Sequence, residues 1–430
     1  MPMNLHQGCM KRLVEILATA LPDLPVHSRM FVLMENPSPL AALDAAIPDA
    51  GGTRSKLVGI IDENPAAEFV MDWIGRRLKE TVEPIFNQPP EPLGTLAGFS
   101  DAKAVAGEII ADLNSLPWDY VFSLPMPKVI GDRMLVALQD SLPLELSPTI
   151  SMVRGDDATM AAFPAPRSEN RLLGLLGGIH GLLAAEWHED TIYLQVRRSG
   201  YVSRFGQSAT AFEAEEALRA FAGVSMAHHL FRFSWSTSNA AAHMSRPSYM
   251  VHRRVDGAWV LDCTPEFDTT LAAAMSSIEL NKMGDITDRA LLDHALPKVR
   301  TCFSRPEASG RITRSGRWLF GSSVSRDETM AFVQGAVALE ILLGEEEASD
   351  EVGLGELLAN RCAYLIGESQ EHRKEVLREF RAIYRVRSKI VHVGKGRLTR
   401  SEHDMLSRLR WMTSRAIQAE TKLLERDHSP

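Results

Sequence analysis

The sequence predicts an α+β protein: a mixed α/β N-terminal region followed by a C-terminal all-α, up-and-down helical bundle. Three observations carry this reading. Ile192, Leu194 and Val196 alternate with polar residues as a half-buried strand does. Asp256-Gly257, a dipeptide suited to a tight hairpin turn, sits between two strand-like runs, Ser248–Val255 and Ala258–Asp262. Beyond residue 326 the apolar residues recur instead at helical spacing, through four successive segments. With 430 residues and 45% apolar content, the chain has enough material for two or three domains with cores of their own.

In chain order, residues 1 to about 20 read as an amphipathic helix through Leu5, Leu13, Ile16 and Leu17, ended by Pro22 and Pro25. The short apolar runs Phe31–Met34 and Leu57–Ile61 are expected as buried strands, and Ala66–Val82 as a helix. Gln88-Pro89-Pro90-Glu91-Pro92 reads as a break, with a sub-boundary near 88–95. A helix is expected over Ala102–Leu116, strands around Tyr120–Ser123 and Arg133–Leu138, and a helix over Glu213–Phe221. Residues 1–296 are therefore taken as one mixed α/β region. Residues 297–325, with Pro306, Gly310, Gly316 and Gly321 among Arg305, Arg311, Arg314 and Arg317, read as an interdomain connection with a basic edge. The bundle occupies residues 326–425. Its helices are expected over Thr329–Leu343, then through Leu354, Leu357, Leu358, Leu365 and Ile366, then from Glu371 toward His392, and last through Met405, Leu409, Met412, Ala416 and Leu423.

The formal net charge of −8 argues against a generic polyanion binder, but the charge is unevenly spread. Residues 326–370 hold two basic and ten acidic side chains, whereas 371–415 hold thirteen basic and five acidic, a local net of about +8 that suits a phosphate backbone. Cys9, Cys263, Cys302 and Cys362 form no Cys-x-x-Cys pair, so neither a zinc knuckle nor a disulfide framework is indicated. Glu15 interrupts the apolar run after Lys11-Arg12, and the longest uncharged stretch, Leu172–Ala185, is short and glycine-rich; neither a signal peptide nor a membrane span is expected. A cytoplasmic protein without a cofactor fits these features. His228 and His229 are adjacent beside a strand-like run, an arrangement that points two side chains to opposite faces and disfavours a shared metal. Trp259-Val260-Leu261-Asp262 is similar to the aspartate strand of transglutaminase-like proteases, but no cysteine followed by tryptophan is placed as nucleophile, and Asp262 reads as a turn or strand-end residue.

The chemistry concentrates in Arg387-Ser388-Lys389-Ile390-Val391-His392. At about 100° per residue, Val376, Phe380, Ile383, Tyr384 and Val391 form one apolar stripe with Arg387 in its middle. A guanidinium aimed at a core is costly unless a carboxylate or an anion meets it. Lys374, Arg378, Arg381, Arg385 and Lys389 fall on the opposite side. Two other charges share apolar surroundings: Arg361, which either joins Arg387 or reaches out to solvent, and Glu340, which is either a buried partner for Arg387 or a residue tuning the imidazole.

Tyr384-Arg385-Val386-Arg387-Ser388-Lys389-Ile390-Val391-His392 resembles the HEPN superfamily, in its Apea-like branch, whose hallmark is arginine, a polar residue, three more residues and histidine. Ala338–Leu343 looks like the family's first-helix segment and Asn360-Arg361-Cys362-Ala363 like its second. The likeness covers roughly residues 326–425, and Val393 stands where relatives commonly have glycine, with Gly394 one residue late. The resemblance implies an endoribonuclease acting on RNA, with a toxin-like or antiviral defence role, assembled as a homodimer through the bundle. His392 would take the proton from a ribose 2′-hydroxyl or give one to the leaving 5′-oxygen, and Arg387 would hold the phosphate and its developing charge. Ser388 would contact a phosphate oxygen or orient the histidine; Lys389, Arg385 and Lys395 would bind substrate. No metal is required, because the 2′-hydroxyl is itself the nucleophile. The alternative is a non-catalytic module for dimerisation or for binding RNA or nucleotide, with residues 1–296 as a sensor for a regulatory ligand or protein. Five residues apart, Arg387 and His392 point about 140° away from each other on an unbroken helix. Either the backbone leaves the helix near Ile390 or a second copy completes the cleft.

Overall fold

The computed structural model describes residues 3–32, 38–49, 52–85, 89–138, 141–165, 187–204, 208–234, 247–282, 284–344 and 354–426. The fold is α+β, as the sequence predicts. It divides into two units, one of Met1–Tyr120, Arg198–Glu213 and Arg253–Ala258, the other of Val121–Arg197, Ala214–His252 and Trp259–Pro430.

In the first unit, α1 (Gln7–Ala20) buries Leu13 and Leu17 one turn apart, and β1 (Pro25–His27) pairs antiparallel with β2 (Phe31–Val32). Residues 33 and 34 of the expected strand lie outside the described residues. After α2 (Ser38–Ala46), the Leu57–Ile61 run turns out to be helical, in and just after α3 (Thr53–Ile60). Leu57 and Ile61 are buried four residues apart while Val58 is 37% exposed, the burial rhythm of a helix face rather than of a strand. In α4 (Pro65–Thr81), Pro65 opens the first turn, and the buried Asp44 carboxylate accepts hydrogen bonds from the Ala66 and Ala67 amides at 2.8 and 3.2 Å. β3 (Glu91–Pro92) pairs with β1 as an edge strand, where a proline is tolerated, and Leu93 is fully buried. Residues 89–95 thus lie inside this unit and mark no sub-boundary; Gln88 lies outside the described residues. α5 (Ala102–Ser115) follows as expected.

β4 (Trp118–Pro125) leads into α6 (Lys128–Leu138), which contains the second expected strand that is in fact a helix. Ile130, Met134 and Leu138 are buried at intervals of four, and Val136 is 81% exposed. Then come β5 (Leu144–Ser147), β6 (Ile150–Arg154), α7 (Asp157–Ala162) and β7 (Ile192–Gly200). The uncharged stretch Leu172–Ala185 lies outside the described residues. α8 (Ala209–Ala227) is followed by β8 (Phe231–Phe233) and by the expected hairpin of β9 (Met250–Val255) and β10 (Ala258–Cys263). Both turn residues have positive φ, 49° at Asp256 and 84° at Gly257, as a tight primed turn demands. The six-stranded sheet runs β10-β9-β4-β7-β6-β5; after α9 (Thr269–Ser276), β11 (Ile278–Leu280) pairs with β8.

The stretch expected as a connection, 297–325, is instead two helices of the second unit, α10 (Asp288–Ser304) and α11 (Pro306–Val324). Pro306 sits in the first turn of α11, where its missing N–H has no helical partner to lose. Gly316 of this helix serves close packing: a Cβ added at Gly223 of α8 would come 1.7 Å from the Gly316 carbonyl oxygen. The C-terminal helices are α12 (Glu328–Leu343), α13 (Leu354–Ile366), α14 (Gln370–Val393) and α15 (Arg400–Arg426), with α11 packed on α12 and α15. The acidic loop Glu345–Glu351 lies outside the described residues.

Candidate functional site

Glu340 lies in the last turn of α12, a helix whose start is fixed by Asp327 accepting from the Thr329 and Met330 amides at 2.9 and 3.0 Å. α14 begins at Ser369, whose hydroxyl accepts from the His372 amide, and buries Val376, Phe380, Ile383 and Val386. Arg387 follows directly in this seam. Its Nε lies 3.3 Å from Glu340 Oε1 and its Nη2 donates to Oε2 at 3.4 Å, with side-chain exposures of 22% and 20%. Arg387 Nε and Glu340 Oε1 are both shut off from solvent, and neither has a hydrogen-bond partner among the described residues. The pair is in ion-pair reach but poorly aligned, so part of its hydrogen-bonding capacity is unused.

Tyr384 completes this group. Its ring stacks on Phe380 at 5.9 Å, lies 5.8 Å from the Arg387 guanidinium and packs over Gly355 of α13, where an added Cβ would approach to 2.9 Å. Burial pushes the Tyr384 hydroxyl pKa up, and the Glu340 charge and hydrogen bond push it further, against the opposing pull of Arg387. Arg361 does not join them at a shared anion position: its Nη1 donates to the Leu343 carbonyl at 2.8 Å, an end-capping bond for α12. Glu340 accordingly takes the partner role between the two roles its position left open.

α14 runs unbroken through Val393, so the helix does not open near Ile390. Gly394 adopts φ 72° and its amide donates to the Lys389 carbonyl, so the glycine that comes one residue late is the left-handed cap. Past Val386 no residue of α14 is buried; Val391, expected in the apolar stripe, is 47% exposed, and Ser388, Lys389 and His392 are exposed. Val386, about 140° away around the helix and outside the expected stripe, is buried instead. Arg387 and His392 therefore face different surroundings within one chain. Arg385 is exposed, with Nε donating to the Arg381 carbonyl at 3.3 Å. Lys395 is engaged: its Nζ lies 3.1 Å from Glu402 Oε2, which also accepts from the Thr399 amide at 2.7 Å, a capping box that starts α15. That backbone hydrogen bond, with Lys395, holds the Glu402 carboxyl below its ordinary range. An open cleft of about 560 Å³ at this turn is lined by Arg397, Leu398, Thr399, Arg400, His403 and Asp404.

Elsewhere in the second unit, His228 and His229 sit in the turn after α8 rather than beside each other in a strand. His228 is buried against Thr421 and Cys302, at 3.1 Å from Thr421 Oγ1 and 3.8 Å from Cys302 Sγ. Among the described residues no three His, Cys, Asp or Glu side chains converge as a metal-binding group, and no helix is long and apolar enough to cross a membrane. Compared with family models, curated proteins and solved structures, the chain finds no match.

Proposed function

We propose that the C-terminal bundle is a metal-independent endoribonuclease centre of the HEPN type, with Arg387 gripping a phosphodiester and His392 moving the proton of the 2′-hydroxyl. One observation carries the reading: Arg387 is a largely buried guanidinium in an apolar seam, with an Nε that no hydrogen bond satisfies among the described residues. A phosphate oxygen is a better-matched partner for that fork than the skewed carboxylate now beside it. Because α14 is unbroken, Arg387 and His392 of one chain diverge, and the reaction calls for a second copy related by a twofold axis. Ser388, Lys389 and Arg385 are exposed near His392 and free to meet substrate. The setting proposed is a cytoplasmic toxin-like or antiviral defence effector, with the N-terminal region as sensor or substrate selector.

The Arg387–Glu340 ion pair also favours a second reading, in which Arg387 is a strut between α12 and α14 and the bundle is a non-catalytic module for dimerisation or RNA binding. The two separate in one experiment. The full chain, Arg387→Ala and His392→Ala are incubated with RNA in chelator, singly and with the two variants mixed. The nuclease reading expects cleavage by the full chain, loss in each variant and recovery on mixing, since a mixed dimer rebuilds one intact arginine–histidine pair. RNA left whole by the unsubstituted chain, or cut equally by both variants, overturns it in favour of the module.

A further inference from the structure

The cations of α14 divide into two sets. With Arg387 at zero and about 100° per residue, Arg381 falls at about 120°, Lys374 and His392 at about 140°, Arg385 at about 160°, Arg378 at about 180° and Lys389 at about 200°. Six basic side chains thus share a sector about 80° wide, and all six are exposed. His392 belongs to this sector and not to that of Arg387. Two of the cations are already paired, Lys374 with Glu371 at 3.0 Å and Arg381 with Glu356 of α13. Arg378, Arg385 and Lys389 make no ion pair among the described residues; Arg385 donates only to a backbone carbonyl. From Phe380 to Ser401 the chain has seven Lys and Arg residues and no acidic one, so no carboxylate of this segment competes for them.

We propose that the exposed face of α14 from Arg378 to His392 is a track for the backbone of single-stranded RNA. Arg378, Arg385 and Lys389 hold successive phosphates, and the strand is delivered to the imidazole at the helix end. At about 1.5 Å of rise per residue, the three cations are spaced by about 10 and 6 Å, and His392 stands about 4.5 Å beyond the last. A single strand, free of a duplex's fixed geometry, can match that uneven ladder. Ala382 and Ser388 flank the sector at about 220° and 100°, and no large apolar residue lies within it, so it lacks the ridge an acidic helix would dock on or a membrane surface would take up. The choice of RNA rests on the nuclease reading; the track as a phosphate-binding face does not.

The test uses the full chain and a fluorescent twelve-nucleotide 2′-O-methyl oligoribonucleotide, in which the nucleophile is blocked, with binding followed by anisotropy from 50 to 300 mM salt. Arg378→Gln/Arg385→Gln/Lys389→Gln is compared with Lys374→Gln/Arg381→Gln/Arg415→Gln, which removes the same charge from cations already paired with Glu371, Glu356 and Glu368. Three phosphate contacts at about 0.7 each predict that the track variant flattens the slope of log K against log salt by about 2 and loses on the order of a hundredfold in affinity at 0.1 M salt. The paired-cation variant keeps most of both. Equal loss in the two variants, no oligonucleotide binding by the unsubstituted chain, or an equal dependence on the three residues for phosphatidylserine vesicles overturns the track. Because the probe cannot be cut, the two proposals fail separately. A chain that binds in this pattern and cleaves no RNA loses the nuclease reading alone; one that cleaves RNA unaffected by the track variant loses the track alone.

Discussion

Lowering the pH from 7.5 to 5 should cost this fold about 2 kcal/mol through one side chain, His228. It is 6% exposed, and its Nε2 faces the Thr421 hydroxyl, whose own proton is committed to the Ile417 carbonyl at 2.8 Å. The hydroxyl therefore accepts, which places a ring proton on Nε2. Burial, then the charges of Lys298, His229 and His294, lower its pKa to about 4. An unfolded histidine titrates near 6.5, so below that pH the unfolded chain binds the proton first and stability falls. The contribution is intact above about pH 6.5 and is lost progressively down to about pH 4; linkage over the span from pH 7.5 to 5 gives about 2 kcal/mol. The assay is urea unfolding of the wild type and His228→Gln at both pH values, because the difference between the two proteins cancels every other titrating group. His229 and His252, whose pKa values are also lowered, are among the groups so cancelled. The wild-type advantage should shrink by about 2 kcal/mol at pH 5. An advantage unchanged to within about 0.5 kcal/mol would mean that His228 stays uncharged in both states or is hydrated in the folded one, and would refute the reasoning.

Gly223→Ala and Gly310→Ala should move stability in opposite directions in thermal unfolding. The first drives a Cβ to 1.7 Å from the Gly316 carbonyl oxygen, a backbone contact that can only be relieved by parting two helices, and should cost about 3 kcal/mol or more. The second adds a methyl inside α11 with nothing within 4 Å and should stabilise by about 0.5–1 kcal/mol. Gly394→Ala, at φ 72°, should cost about 1 kcal/mol and loosen the last turn of α14, visible as faster amide exchange at Val391–Val393. Arg387→Met should cost about 2 kcal/mol by stranding the Glu340 charge, and Glu340→Leu/Arg387→Met should recover much of it; additive losses in urea unfolding would show that the pair is uncoupled.

The fold is legible in the sequence where a long segment carries one clear rhythm. Ile192 to Val196, the Asp256-Gly257 hairpin and the strongly periodic C-terminal helices are of this kind. Short runs are not legible: the five or six residues of Leu57–Ile61 or Arg133–Leu138 contain too little of either period to separate helix from strand, and burial at every fourth position emerges only with the neighbours in place. Residues 297–325 are not legible either, because proline and glycine there read as breaks. Pro297 lies within α10, Pro306 starts α11, and Gly316 is required by a helix crossing whose partner, Gly223, is distant in sequence. At the candidate site, the inward turn of Arg387 and its pairing with Glu340 were legible because both lie at apolar positions of their helices. Val391 was misplaced because a stripe drawn on an ideal helix says nothing about where the covering helices stop. The engagement of Lys395 by Glu402 depends on a loop geometry that spacing does not encode.

The unbroken course of α14 changes what Arg387 and His392 can be to each other. A helix that opened near Ile390 would let one chain bring guanidinium and imidazole to a single phosphate. A helix capped at Gly394 commits Arg387 to the side of α12 and His392 to the solvent side, in line with Arg378, Arg385 and Lys389. The arginine then has a carboxylate within reach in every isolated copy, and a phosphate must compete with Glu340 to win it. Among the described residues no carboxylate pairs with the His392 imidazole. Any chemistry that uses both groups on one phosphodiester is therefore conditional on two events, the displacement of Glu340 and the approach of a second chain. On the proposed nuclease reading, each would lower the activity of a lone, unliganded copy, as a nuclease that its own cell must tolerate would require.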